Sequence, residues 1–258
     1  MRTFPRRSGW VVVACIAMAP VLPASGAHDA PHWSYSGPTG PSHWSVLEKD
    51  FDTCGVGTAQ SPIDIRDENV QRSDLPSIEF GYKPSKLVIV DNGHTIQVNY
   101  APGSFITIGE KRYELVQFHF HKPSEEAVNG KRYDMVVHLV HRDSAGHLGV
   151  VAVLLAAGGR DNALIKTLWD HVPKTKEAEA TVDAVTIDAT DLLPANRAYF
   201  TFVGSLTTPP CSEGVTWFVL QNPTVVSKDE VARFAKWYPK NARPIQPLNG
   251  REIKAGGP

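Results

Sequence analysis

The stretch Gln117-Phe118-His119-Phe120-His121-Lys122-Pro123-Ser124-Glu125 sets two histidines one residue apart among aromatic rings, then a proline turn and a carboxylate. Side chains alternate along a strand, so His119 and His121 project to one face while Phe118 and Phe120 project to the other. Two imidazoles then point together. A buried pair of neutral histidines needs a hydrogen-bond partner for each ring and gains little that apolar packing would not supply more simply.

The next apolar stretch, MVVHLVH at Met135–His141, follows a turn around KPSEEAVNGKRY and can return antiparallel beside the first. That brings His138 or His141 alongside the pair. Strand parity turns these two histidines to opposite faces, so at most one of them joins. Three neutral nitrogens with an open fourth position suit a catalytic zinc, whereas structural zinc sites are closed by four ligands and usually contain cysteine.

Outward from this pair the chain reads as strands: KLVIV, TIQVNY, SFITIG, ELVQFHFH, GVVAVLLAA, YFTFVGS and VTWFVL alternate or run apolar with β-branched residues. Asp91-Asn92-Gly93 marks a tight hairpin between two of them. Helical patterns are few, the better ones being ALIKTLWDHV and SKDEVARFAKWY, the second with Ser227 as N-cap. The expected fold is mostly β (α+β), a single domain on a large, mainly antiparallel twisted sheet with a few peripheral helices.

The chain has 258 residues, 42% hydrophobic and 21% charged, with a net charge of -1 and its basic residues scattered. That excludes disordered and collagen-like classes and leaves no electrostatic footprint for nucleic acid or an anionic membrane. A small-molecule partner is expected. Residues 1–27 read as a cleaved signal peptide: Arg2, Arg6 and Arg7 precede an apolar run from Trp10 to Leu22, and Ser25-Gly26-Ala27 ends it. The domain then spans 28–258, with no membrane span after cleavage and a periplasmic or secreted location. Removal of the signal takes Cys15, and the remaining Cys54 and Cys211 suggest a disulfide in an exported chain.

His119-x-His121 followed by Glu125 also matches the His-x-His-x-x-x-Glu core of cupins, where the carboxylate joins the histidines on iron or manganese. Tyr113 stands where that motif wants glycine, and its second half has no match. A broader set of segments resembles the α-class carbonic anhydrases, in particular the bacterial exported members. These are WSY at Trp33–Tyr35, GPSHW at Gly40–Trp44, QSPIDI at Gln60–Ile65, DNGH, QFHFH, PSEE, HLVH, SLTTPP at Ser205–Pro210, VTWFVL, and NARPIQPLNGR at Asn241–Arg251. Their order covers nearly the whole mature chain.

The resemblance implies a zinc-dependent lyase that reversibly hydrates carbon dioxide to bicarbonate and a proton through attack by zinc hydroxide, with one Zn2+ held by His119, His121 and His138. It implies that Thr207, backed by Glu125, orients the nucleophile, and that His94 shuttles the proton. Val140, Val150, Leu206 and Trp217 would form the apolar substrate wall, with Thr207 and Thr208 beside it. Tyr35, Asn92 and Gln97 would line the polar side, while Gln117 and Asn241 would orient His119 and His121. A homodimer is compatible with it. Binding modules of this family usually lack one or more of the three histidines, and here all are present.

One departure stands out. The family commonly has glutamate two residues before the third histidine, where it accepts the free imidazole N–H, and this chain has Val136. Loss of such a partner typically costs about 10- to 100-fold in metal affinity or activity, so weaker zinc retention is expected. Glu126, which stands where many animal members have histidine, is the candidate compensation.

Overall fold

The computed structural model describes residues 33–257. The expected signal peptide at 1–27 lies outside the described residues, among which no helix is long and apolar enough to cross a membrane. A twisted sheet of 13 strands forms the centre. Its main path runs from Ala178–Ile187 through Ser85–Asp91, Ile96–Asn99, Lys111–His121, Met135–Arg142, Leu148–Ala157, Glu213–Leu220, Tyr199–Ser205 and Ile253–Gly256 to Val70–Arg72. Most neighbours are antiparallel. Parallel joins link Leu148–Ala157 to Glu213–Leu220 and to Thr224–Val226, and Ile253–Gly256 to Val70–Arg72, so the sheet is mixed.

The histidine stretch has the alternation its sequence demands. Phe118 and Phe120 are fully buried in the larger core cluster with Leu139, Val151 and Val153, which the helices Ala163–Asp170 and Lys228–Trp237 cover. The opposite face carries the histidines, and beside them a second cluster of Val136, Val150, Ala152, Leu154, Trp217, Ile63 and Ile65. Both expected helices form. Ser227 Oγ accepts from the Glu230 N–H and the Glu230 carboxylate accepts from the Ser227 N–H, a reciprocal cap that satisfies donors otherwise left open at a helix start. The same carboxylate also accepts from the Asn162 N–H, and Asn162 caps the other helix, so one buried acid ties both N-termini together.

Two local readings change. The hairpin after Ser85–Asp91 is longer than a two-residue turn: of the Asn92-Gly93 pair only Gly93 has positive φ, at 83°, and Asn92 Oδ1 accepts from the His94 and Thr95 N–H groups. The Asn92 side chain thereby replaces part of the backbone turn. Ala178–Ile187 forms an additional strand, paired antiparallel to Ser85–Asp91. It lies at the end of the sheet path and leaves alternate residues exposed, so it carries little of the apolar run by which the inner strands are recognised. The disulfide forms as expected, Cys54 to Cys211, with Cα atoms 5.0 Å apart.

Candidate metal centre

Strand register assembles the site. His119 lies directly opposite His138 on one side and Gln97 on the other, and His138 lies opposite Ala152. One row of a twisted sheet thus carries two imidazoles, while His121, two residues along, adds the third. Candidate ligand atoms of His119, His121 and His138 lie within 4.8 Å of one another. His141 is set apart by a bulge after Val140; its ring is buried, with Nε2 2.9 Å from the Tyr82 hydroxyl and Nδ1 3.3 Å from the Gly149 carbonyl oxygen. The third member of the cluster is therefore His138.

The partners of each ring decide which nitrogen faces the centre. His119 Nδ1 is 2.9 Å from Gln117 Oε1, and His121 Nδ1 is 2.7 Å from the Asn241 carbonyl oxygen, which directs both Nε2 atoms inward. His138 is reversed: its Nε2 lies 3.2 Å from Glu126 Oε1, and its Nδ1 turns toward Glu125 Oε2 at 3.9 Å. The nitrogen that Val136 cannot serve has Glu126 beside it.

Glu125 stands just behind the cluster. Its Oε1 accepts from the Arg243 backbone N–H at 2.7 Å, and its Oε2 is 3.4 Å from His121 Nε2. Burial raises this carboxyl to about 7, against lowering contributions from His138, the Thr207 side chain and the Arg243 N–H, and with Glu126 adding to the rise. Burial lowers His119 to about 3, with His138 adding to the effect, and burial likewise depresses His121. For His138 burial alone would lower the ring, yet the Glu126 and Glu125 carboxylates together raise it above the ordinary value.

His121 Nε2 and Glu125 Oε2 are buried without a hydrogen-bond partner among the described residues. Leaving such atoms unpaired is costly in a folded core, so an inward-facing nitrogen with no protein partner is what a cation site looks like before its ion is counted. The donor set is three imidazoles without cysteine, with the remaining side open to a pocket, which fits a catalytic zinc in both chemistry and geometry.

The pocket above the cluster brings together almost every residue singled out in the sequence. Tyr35, Asn92, His94, Gln97 and Gln117 line a polar side, and Val140, Val150, Leu206 and Trp217 an apolar one, with Thr207 and Thr208 between them. Val150 is in register with both Val140 and Trp217, so three neighbouring strands build the apolar wall as one row. Asn241 and Glu125 act from behind the cavity. His94 stacks on Trp33, ring centroids 3.5 Å apart and planes 5° from parallel. Asn92 Nδ2 donates toward Gln97 Oε1 at 3.4 Å, and Gln97 Nε2 donates to Asn99 Oδ1 at 2.7 Å, which sets the direction of these amides along the polar side.

Two supporting residues were not assigned from sequence. Trp33 sits in the quoted WSY segment, but only the folded chain brings it under a histidine 61 positions away in the numbering. Arg243, within NARPIQPLNGR, is 1% exposed and connects Glu125 to the segment carrying Cys54, Gln60 and Ser61. Its signal was one of two arginines in a stretch with two prolines, which has no pattern of its own.

The comparisons with known proteins agree with this geometry. The family model described as eukaryotic-type carbonic anhydrase matches residues 39–256. A carbonic anhydrase of a Nostoc species is 43% identical over 225 residues, covering 86% of this chain and 85% of that protein. One from Neisseria gonorrhoeae is 40% identical over 254 residues, covering 98% of this chain and 97% of its own length. Among solved structures, the α-carbonic anhydrase of Thermovibrio ammonificans in complex with the inhibitor sulfanilamide superposes with a TM-score of 0.83 at 39% identity, covering 86% of this chain and 98% of that one. The cupin reading of His119, His121 and Glu125 is superseded. With the family model spanning most of the chain and a solved family member superposing over 86% of it, the chain belongs to the eukaryotic-type (α) carbonic anhydrase family and is an enzyme of carbon dioxide hydration.

Proposed function

We propose that the chain hydrates carbon dioxide reversibly with one zinc ion held by His119 Nε2, His121 Nε2 and His138 Nδ1, and that His94 carries the product proton to solvent. The observation that supports this most directly is the orientation of the three rings: each has its outer nitrogen beside an oxygen acceptor, leaving the three inner nitrogens free to converge. Bound zinc supplies a nucleophile at neutral pH by lowering the pKa of water to about 7, a value characteristic of carbonic anhydrases in general and not a measurement on this chain.

The chain's own residues supply the rest. Glu125, held at Oε1 by the Arg243 N–H, offers an acceptor for the Thr207 hydroxyl proton, so that the Thr207 oxygen is left to accept from the nucleophile and orient it. In this reading the Thr207 N–H serves the negative charge that develops on the substrate. Carbon dioxide has no charge to grip, and the wall of Val140, Val150, Leu206 and Trp217, with Thr208 at its edge, keeps its site dry. His94 stands on the polar side with Tyr35, Asn92 and Gln97, where an imidazole can take a proton and release it outward.

Export is part of the same proposal, with residues 1–27 as the cleaved signal and 28–258 as the catalytic domain in the periplasm or outside the cell; the Cys54–Cys211 disulfide supports an oxidising compartment. A homodimer is proposed from family resemblance alone, and the solution mass of the mature protein tests it. The activity is tested by carbon dioxide hydration of the mature protein before and after zinc removal, with His119→Ala alongside. Activity that ignores chelation, or survives the substitution, overturns the proposal.

A further inference from the structure

We infer that Glu126 is the positioning residue for the third metal ligand, and that in this chain the carboxylate that orients His138 comes from the turn segment facing the strand instead of from the strand itself. The inference rests on the proposed zinc site. His138 is 1% exposed, and its Nε2 hydrogen-bonds Glu126 Oε2 at 3.3 Å, with Oε1 of the same carboxylate 3.2 Å away. The two other rings of the cluster have neutral acceptors, an amide oxygen for His119 and a peptide oxygen for His121. Of the three outer nitrogens, only that of His138 faces an acid.

Position 136 explains the arrangement from the other side. Val136 is two residues from His138 on one strand and so shares its face, but it is fully buried within the cluster that contains Ile63, Ile65 and Leu154. An apolar residue therefore fills the space from which a strand-borne acid would reach Nε2. Glu126, itself fully buried, enters from the segment between Lys111–His121 and Ala127–Val128.

That segment is held independently of strand register. Ser124 N–H donates to the Tyr133 carbonyl at 3.0 Å, Ser124 Oγ donates to the Glu126 carbonyl at 2.7 Å and accepts from the Tyr133 N–H at 2.9 Å, and the Ala127 N–H donates to the Ile63 carbonyl at 3.2 Å. The bent backbone lets two consecutive acids flank one imidazole, Glu125 toward Nδ1 and Glu126 toward Nε2, where a regular strand would send them to opposite faces. A carboxylate on the outer nitrogen fixes the tautomer with Nδ1 free, holds the ring angle, and raises the ligand's basicity.

The test is zinc affinity, measured by competition with a chromophoric chelator, together with the Nε2–H proton resonance of His138 in the zinc-loaded protein. Glu126→Ala is expected to weaken zinc binding by about 10- to 100-fold and to remove the downfield position of that resonance. Glu126→Gln, which keeps the shape and an acceptor oxygen but not the charge, is expected to fall between. Moving the acid back to the strand, Glu126→Ala with Val136→Glu, is expected to recover most of the affinity, a rescue that a packing role for Glu126 would not produce. Unchanged affinity in both single variants, or a double variant no better than Glu126→Ala, overturns the assignment while leaving the zinc site standing. Wild-type protein that binds no zinc overturns the proposed function and this inference with it.

Discussion

Replacing Arg243 with alanine separates what this buried cation does for the fold from what its backbone does for the site. The guanidinium donates to Gln60 Oε1 and the Ser61 carbonyl at 2.8 Å each and to the Cys54 carbonyl at 3.0 Å, and it lies 5.5 Å from the Trp44 ring. Truncation leaves three acceptors short of a donor; hydrogen bonds of this charged kind contribute about 1.5–3 kcal/mol each, and neighbouring losses do not sum fully. Three such bonds lost together, with partial non-additivity, give an expected loss of about 3–5 kcal/mol. Against a total stability of about 5–15 kcal/mol, it would show as a large fall in the urea midpoint with little change in slope. Hydrogen exchange should place the loosening at residues 54–61, where the Ser61 N–H now donates to Ser205 Oγ at 2.9 Å. The bond from the residue 243 N–H to Glu125 belongs to the backbone and persists in the variant. A stability loss below about 1 kcal/mol, or exchange that quickens everywhere alike, would refute the reasoning.

Other outcomes follow from the same structure. Burial holds His141 at about 3, below its unfolded value near 6.5, so the unfolded chain binds the extra proton: its contribution is intact above pH 6.5 and falls by about 1.4 kcal/mol per pH unit as pH drops toward 3. Zinc-free His141→Gln should therefore show a shallower loss of stability over that window than zinc-free wild type, and equal slopes would contradict the assignment. Val150→Phe inserts a ring between Val140 and Trp217; it should lower kcat/KM on the order of 100-fold by displacing the substrate while zinc affinity stays unchanged, and full turnover would argue against an apolar substrate wall there. Joint Cys54→Ser and Cys211→Ser substitution opens a link across 157 positions and should cost up to about 5 kcal/mol in urea unfolding, with no loss in the variant showing that the denatured chain is not constrained by it.

Much of the centre was legible because strands enforce a period of two. The letters of QFHFH alone send Phe118 and Phe120 into one core and His119 and His121 to the other face, and the two principal helices could be read from their apolar spacing, the second with its Ser227 cap. The edge strand Ala178–Ile187 was not legible, since a strand solvated on one side and paired along one edge needs few apolar residues. Neither was the turn after Asp91, where one side chain, Asn92, performs part of the work of the backbone.

By itself the sequence determined the class of fold, the shared face of the two histidines in the His-x-His strand, the limit of one further histidine from its neighbour, and, through its ordered motifs, the family. Tertiary structure decided which acid serves which histidine. Val136 reads as a missing partner when only the strand is considered, because spacing along a strand fixes faces but says nothing of what a turn brings across the gap. Glu126 reaches His138 through a bend held by Ser124, Tyr133 and Ile63, contacts made between segments distant along the chain and formed only when the sheet closes around them.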